Sequence, residues 1–159
     1  MTVPTLYLDT SVFGAVVDDT LPDRIAATEV LFGLIRTGRY EAATSAVALR
    51  EIAAAPPAIR QRILTNLDMA AGRVWLETAE SQRIAAELLS SGIVPARFED
   101  DARHLGVAIE NGVWAVVSWN YRHMVNPHRR RKIAAACVLL DYPAPEVLSP
   151  PEVMGDEPT

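Results

Sequence analysis

The stretch Leu6-Tyr7-Leu8-Asp9-Thr10-Ser11-Val12 most constrains the fold, because it is a short apolar run that ends in a carboxylate and then hydroxyls. Leu6 and Leu8 with Tyr7 between them suit a strand covered on both faces, as in a parallel sheet with helices above and below. Asp9 at the end of such a strand must meet water, a helix N-terminus or a cation, since an isolated buried charge is costly.

The rest of the chain alternates helix and strand patterns. From Asp9 to Val17 the sequence suits a short helix or turn that Asp9, Thr10 or Ser11 can cap. Pro22 opens a helix with Ile25, Val30, Leu31 and Leu34 on one side, and Gly38 can close it. Residues 40 to 44 read as a second strand, and Thr44-Ser45 as the entry to a helix over 46 to 55 that Pro56-Pro57 stops. Ile59, Ile63 and Leu67 recur every four residues, so residues 58 to 71 form an amphipathic helix. Val74-Trp75-Leu76 is a third strand. From Thr78 a helical stripe of Ile84, Ala85, Leu88 and Leu89 runs to Gly92, and residues 93 to 98 connect to a helix from Glu99 to Asn111-Gly112. Val113-Trp114-Ala115-Val116-Val117 is apolar throughout, as a central parallel strand requires. Pro127 opens a last helix through Ile133, Ala136, Cys137 and Leu140, and Val147-Leu148 is an edge strand. The expected architecture is a three-layer α/β/α sandwich with a central parallel sheet over residues 1–148, followed by a loose tail from Ser149 to Thr159.

At 159 residues the chain is long enough for one domain with a substantial core. Its formal charge of -5 argues against non-specific, electrostatically driven nucleic-acid binding, and 6 % aromatic content argues against a stacking platform. The single cysteine, Cys137, excludes an internal disulfide and a thiolate metal cage, and reads as a small core residue. No apolar run approaches the ~18 residues of a membrane span, and the start shows no basic-then-apolar leader, so a soluble cytoplasmic protein is expected. Trp75 and Trp114 fall in predicted strands and read as core, whereas Trp119 is open to either burial or base stacking.

In such a sheet one rim collects four residues. Asp9 ends the first strand, Glu51 lies early in the helix after the second, Asp101 opens the helix before the fourth, and Asn120 follows the fourth. Three carboxylates gathered there bind protons or a cation, and oxygen-only ligands favour magnesium or manganese. Metal-dependent phosphodiester hydrolysis is the chemistry such a site suits. Each residue also has a plainer local reading: Asp9 as a helix cap, Glu51 as a solvated charge, Asp101 as compensation of a helix dipole. His104, one turn after Asp101, either orients it or packs on its own helix. Arg122, Arg129, Arg130, Arg131 and Lys132 form the one dense basic stretch, either a solvated helix face or, with His123 and His128, an RNA path. The turn after the first strand lacks the glycines of a dinucleotide site, and Ser11 stands where an aspartyl phosphatase needs a second acid.

Four segments, Leu8 to Val12, Ser45 to Ile52, Asp101 to Leu105 and Val117 to His123, together resemble the PIN-domain ribonucleases, and among these the VapC-type toxins of toxin-antitoxin pairs. The resemblance runs from about Leu6 to Val147 and implies a magnesium-dependent endoribonuclease, the toxin of a type II pair, silenced by an antitoxin protein and commonly a homodimer. It makes Asp9, Glu51 and Asp101 the metal-binding acids and Asn120 the fourth catalytic position. Many PIN domains carry an aspartate there; the neutral amide removes one charge and favours a one-metal site, or a second ion recruited with the substrate phosphate. The same neutral position motivates a second expectation, a catalytically weakened module that binds RNA or protein.

Overall fold

The computed structural model describes residues 2 to 155. Five strands, β1 (Thr5–Leu8), β2 (Glu41–Ser45), β3 (Arg73–Trp75), β4 (Ala115–Val117) and β5 (Glu146–Leu148), form one sheet in the order β3-β2-β1-β4-β5. Every neighbouring pair is parallel, with Leu6 opposite Ala42 on one side and Ala115 on the other. The helices are α1 (Thr10–Ala15), α2 (Pro22–Arg36), α3 (Ala46–Ala53), α4 (Pro57–Ala70), α5 (Ala79–Ser90), α6 (Glu99–Glu110), α7 (Pro127–Leu140) and α8 (Pro150–Gly155). None is long and apolar enough to cross a membrane.

The period-two geometry of the strands divides the core between the two faces. Leu6, Leu8, Ala115, Val117 and Leu148 pack with residues of α1, α2, α3, α4 and α8. Tyr7, Val116 and Val147, the alternate residues, pack with α5, α6 and α7. The architecture is therefore the expected α/β/α sandwich. Helices stop at the glycines that the sequence marks as terminators: Gly38, Gly92 and Gly112 all have positive φ, which glycine adopts without a steric cost. Cys137 is fully buried, as a small core residue should be.

Two expectations are corrected. The chain beyond Leu148 is not loose: residues 150 to 155 form α8, with Pro150 and Val153 buried against the α2 side of the sheet. Ser149-Pro150-Pro151-Glu152 makes the carboxylate half of a capping box: Glu152 accepts from the Ser149 backbone N–H at 3.0 Å and also from its hydroxyl at 2.9 Å. Proline at the first helical position is compatible with a helix start, so the Pro pair opens a helix here rather than ending order. The remainder of the expected tail, residues 156 to 159, lies outside the described residues, as does Met1. The tryptophans are the second: Trp75 and Trp114 are partly buried and pack against the core from its margin, and Trp119, open to burial or stacking in the sequence, is 6 % exposed and belongs to the core.

Helices α5 and α6 approach backbone to backbone at Gly106, where a Cβ would stand 2.3 Å from the Ser81 carbonyl oxygen. Gly106→Ala should push α6 off α5 and cost about 1–3 kcal/mol by the usual penalty for overpacking, seen as a lower calorimetric melting temperature.

Candidate functional site

Strand β1 sits between β2 and β4, so the chain leaves β1 toward one edge of the sheet and returns beside it through β4. The carboxyl ends of these two strands are the switch point at which open α/β sheets form a crevice. Asp9 follows β1 and Ser118 follows β4, joined across the gap by the Asp9 N–H to Val117 carbonyl bond at 3.2 Å.

Asp9 is 5 % exposed and its carboxylate is held on three sides. Oδ1 accepts the Ser11 backbone N–H at 3.1 Å, which caps α1, and the Ser11 hydroxyl at 2.5 Å. Oδ2 accepts the Ser118 hydroxyl at 2.6 Å. Each serine oxygen in turn accepts a backbone N–H of the loop after β4, Trp119 to Ser11 at 2.9 Å and Asn120 to Ser118 at 3.0 Å. The capping reading and the rim reading are thus both true of Asp9. Burial raises its pKa, as does the Glu51 charge, against the lowering effects of His104 and the two serines.

Glu51, on α3, is fixed by neighbours that spacing along the chain does not single out. Its Oε1 accepts the Thr10 hydroxyl at 2.8 Å and meets His104 Nε2 at 2.5 Å. His104, on α6, is 1 % exposed, and its Nδ1 lies 2.6 Å from the Tyr7 hydroxyl, itself 2.7 Å from Ser45 Oγ. Burial alone would depress the imidazole, but the hydrogen bond to Glu51 and the charges of Asp9, Glu51 and Asp101 outweigh it and hold its pKa above the ordinary value. In the imidazolium form both ring N–H groups donate, Nε2–H to Glu51 and Nδ1–H to the Tyr7 oxygen, while the Tyr7 O–H donates to Ser45. Burial works against Glu51 as well, yet His104, Thr10 and Arg50 bring its pKa below the usual carboxylate value.

Asp101, in the first turn of α6, is partly buried and forms no hydrogen bond or ion pair among the described residues. Its neighbour Asp100 is engaged by Arg50 at 2.6 Å, and Arg103 by Glu77 at 2.8 Å. Burial first, then the charge of Asp9, raise the Asp101 pKa to about 6, with Glu51 and Asp100 adding to the effect and His104 opposing it. Asp9, Glu51 and Asp101 therefore share one electrostatic field.

They do not form a three-acid cage. Among the described residues no group of three or more His, Cys, Asp or Glu side chains is disposed to hold one metal ion. Glu51 is instead engaged by Thr10 and His104. Asp9 Oδ2 accepts one hydrogen bond and Asp101 none, so both carboxylates keep oxygen lone pairs of the kind Mg²⁺ takes, commonly from one or two carboxylates with waters completing its shell.

Asn120 takes a local role. Its Oδ1 accepts the His123 N–H at 2.9 Å and its backbone carbonyl accepts from Met124 and Val125, so it shapes the turn before α7. The basic stretch is not one patch, because successive residues of α7 point about 100° apart. Arg130 binds Glu152 through Nη2 at 2.8 and 2.9 Å, and Lys132 lines a hollow between α5 and α7. The His123 and Phe98 ring centres lie 3.8 Å apart, and the Arg97 guanidinium stands 5.0 Å from the centre of the same Phe98 ring. Slight burial and the charges of Arg122, Arg129 and Arg97 lower the His123 pKa, which groups these cations around His123. Arg131 is exposed on α7. Sequence reasoning misses Thr10, Ser11, Ser118 and Tyr7 as site residues; the hydroxyls directly after Asp9 and the one-turn spacing of Asp101 and His104 are the signals that point to them.

Comparison with known protein families, with curated proteins and with solved structures finds no match.

Because the folded pKa of Asp101, about 6, lies above its ordinary 3.8, its ionised form is disfavoured by folding: the cost is absent below the lower value and complete above the higher. In chelator, Asp101→Asn should raise stability near pH ~8 by about 1–2 kcal/mol after solvent screening and leave it unchanged near pH ~3.5. Thermal melting across pH measures both.

Proposed function

We propose that the chain is a metal-dependent endoribonuclease of PIN type, with Asp9 and Asp101 as the ligands of one Mg²⁺ or Mn²⁺. The carrying observation is Asp101: a half-buried carboxylate beside a buried one, at the switch point of the sheet, with no counter-cation of its own among the described residues. The bound ion supplies Lewis-acid activation of water and neutralises charge on the phosphate. The chain's own residues fix the rest. Ser11 and Ser118 hold Asp9 in one orientation, and Thr10 and His104 keep Glu51 ionised so that its charge adds to the same field. Arg122 lines a hollow that borders this acidic centre through Ser11, and Arg97 and Arg129 stand near its neighbour His123, positive charge that an approaching RNA backbone needs.

The toxin role, the antitoxin partner and the homodimer come from the sequence resemblance. The exposed Val138 and Leu139 of α7, 78 % and 88 % exposed, supply apolar surface for a protein contact. The second reading, a binding module with weakened catalysis, is favoured by two commitments: Asn120 to its own turn and Glu51 to His104.

Purified protein should cleave structured RNA in magnesium and stop in chelator, with Asp9→Asn or Asp101→Asn slowing cleavage about a hundredfold or more. Gel analysis of labelled RNA reads this, and equal cleavage by Asp9→Asn overturns the assignment. RNA or protein binding without metal-dependent turnover selects the second reading. Independently of activity, magnesium at about a hundred times its Kd should stabilise the wild type by about 2.7 kcal/mol and Asp101→Asn by far less.

A further inference from the structure

A hollow of about 420 Å³ opens beside the acids, lined by Ser11, Arg24, Trp119, Asn120, Tyr121 and Arg122. It adjoins the acidic centre through Ser11, whose hydroxyl donates to Asp9 at 2.5 Å. A second, smaller hollow shares Ser11, Arg24 and Trp119, so Arg24 stands between the two.

Arg24 is held in place before any ligand arrives. Its guanidinium lies 5.0 Å from the centre of the Trp119 ring and 5.7 Å from that of Tyr121, and the two rings meet edge to face at 6.2 Å. The buried Trp119 indole N–H donates to Thr28 Oγ1 at 2.9 Å, and the Thr28 hydroxyl donates to the Arg24 carbonyl at 2.7 Å. The ring that carries the guanidinium is thereby tied to the helical turn that bears it. Neither Arg24 nor Arg122 forms an ion pair with a carboxylate among the described residues, although acids outnumber bases in the chain. Asp18 attracts Arg24 only at longer range while it accepts the backbone N–H and hydroxyl of Thr20.

Two guanidinium groups without a carboxylate ion pair among the described residues suit a phosphate, which they bind with several N–H donors each. Tyr121 is 46 % exposed even with Arg24 against it, which leaves ring surface for a planar base. A nuclease whose centre is acidic repels the backbone it must hold, and cations one step away offset that repulsion. We propose that this hollow is a nucleotide subsite: Arg24 and Arg122 bind the phosphate, and Tyr121 the base, of the single-stranded RNA nucleotide adjoining the one at Asp9. This deepens the nuclease reading and rests on it.

The test is binding of a fluorescent single-stranded RNA of about eight nucleotides to the full chain in chelator, followed by anisotropy over a range of salt. Arg122→Ala should weaken binding and flatten the slope of log affinity against log salt by about 0.7 for each phosphate it no longer neutralises. Tyr121→Ala should weaken it about five- to a hundredfold, and Tyr121→Phe should retain it. Arg24→Ala should do both, with its melting temperature checked because Arg24 is partly buried; Arg122 and Tyr121 are exposed and carry the test alone if it unfolds. Wild-type affinity and slope in Arg122→Ala and Tyr121→Ala overturn the subsite. If the same preparation cuts RNA in magnesium and Asp9→Asn does not, that result removes the subsite and leaves the nuclease reading standing. Binding that depends on these residues without any cleavage supports the subsite and removes the nuclease reading.

Discussion

A buried carboxylate at the junction of two parallel strands is the constraint on which the centre of this protein depends. Asp9 is nearly sealed from water, so its charge must be met by protein dipoles. It obtains them from Ser11 on its own strand exit and from Ser118 on the exit of the neighbouring strand, and each serine passes on a backbone N–H from the loop after β4. The same bonds that make Asp9 tolerable fix the mouth of the crevice. Removing the charge would loosen both strand exits together, because the donors converge on one group.

The second element is internal charge balance. Three acids share a field on one rim, and His104, buried on α6 and bonded to Glu51 and Tyr7, has its pKa held above the ordinary value by them, so the acids favour its charged form. The balance is incomplete. Asp101 remains without a partner among the described residues, and burial beside Asp9 lifts its pKa to about 6. This uncompensated charge is the physical basis for proposing a divalent ion held by two carboxylates and water. Beside this centre, in the hollow that Ser11 borders, stand Arg24 and Arg122, so a chain that is acidic as a whole offers a mixed surface there.

Most of the fold is legible in the sequence because its signals are local. Apolar residues on both strand faces around Leu6 to Leu8 and Val113 to Val117 mark a sheet covered on both sides, and Gly38, Gly92 and Gly112 mark helix ends by a backbone requirement. Where local reading fails, two local rules compete. At Ser149-Pro150-Pro151-Glu152 a proline pair suggests a breaker, although serine and glutamate three apart with proline first in the turn also define a helix start. Trp119 is undecidable along the chain because its partner, Thr28, lies 91 residues away. The basic stretch is continuous in sequence, but the helical rotation of α7 sends Arg130 to Glu152 and Lys132 to another face.

The sequence by itself determined the alternation of strands and helices, the apolar faces, and that Asp9, Glu51, Asp101 and Asn120 belong to elements ending or beginning on one rim. These follow from periodicity and from the direction of parallel strands, which need no knowledge of distant contacts. Only the tertiary structure decided how the acids divide the available charge. Glu51 is claimed by His104 from 53 residues away and Asp9 by Ser118 from 109 residues away, whereas Asp101 is left unpaired among the described residues. Electrostatic energy depends on separation through space and on burial, and neither is a property of spacing along the chain.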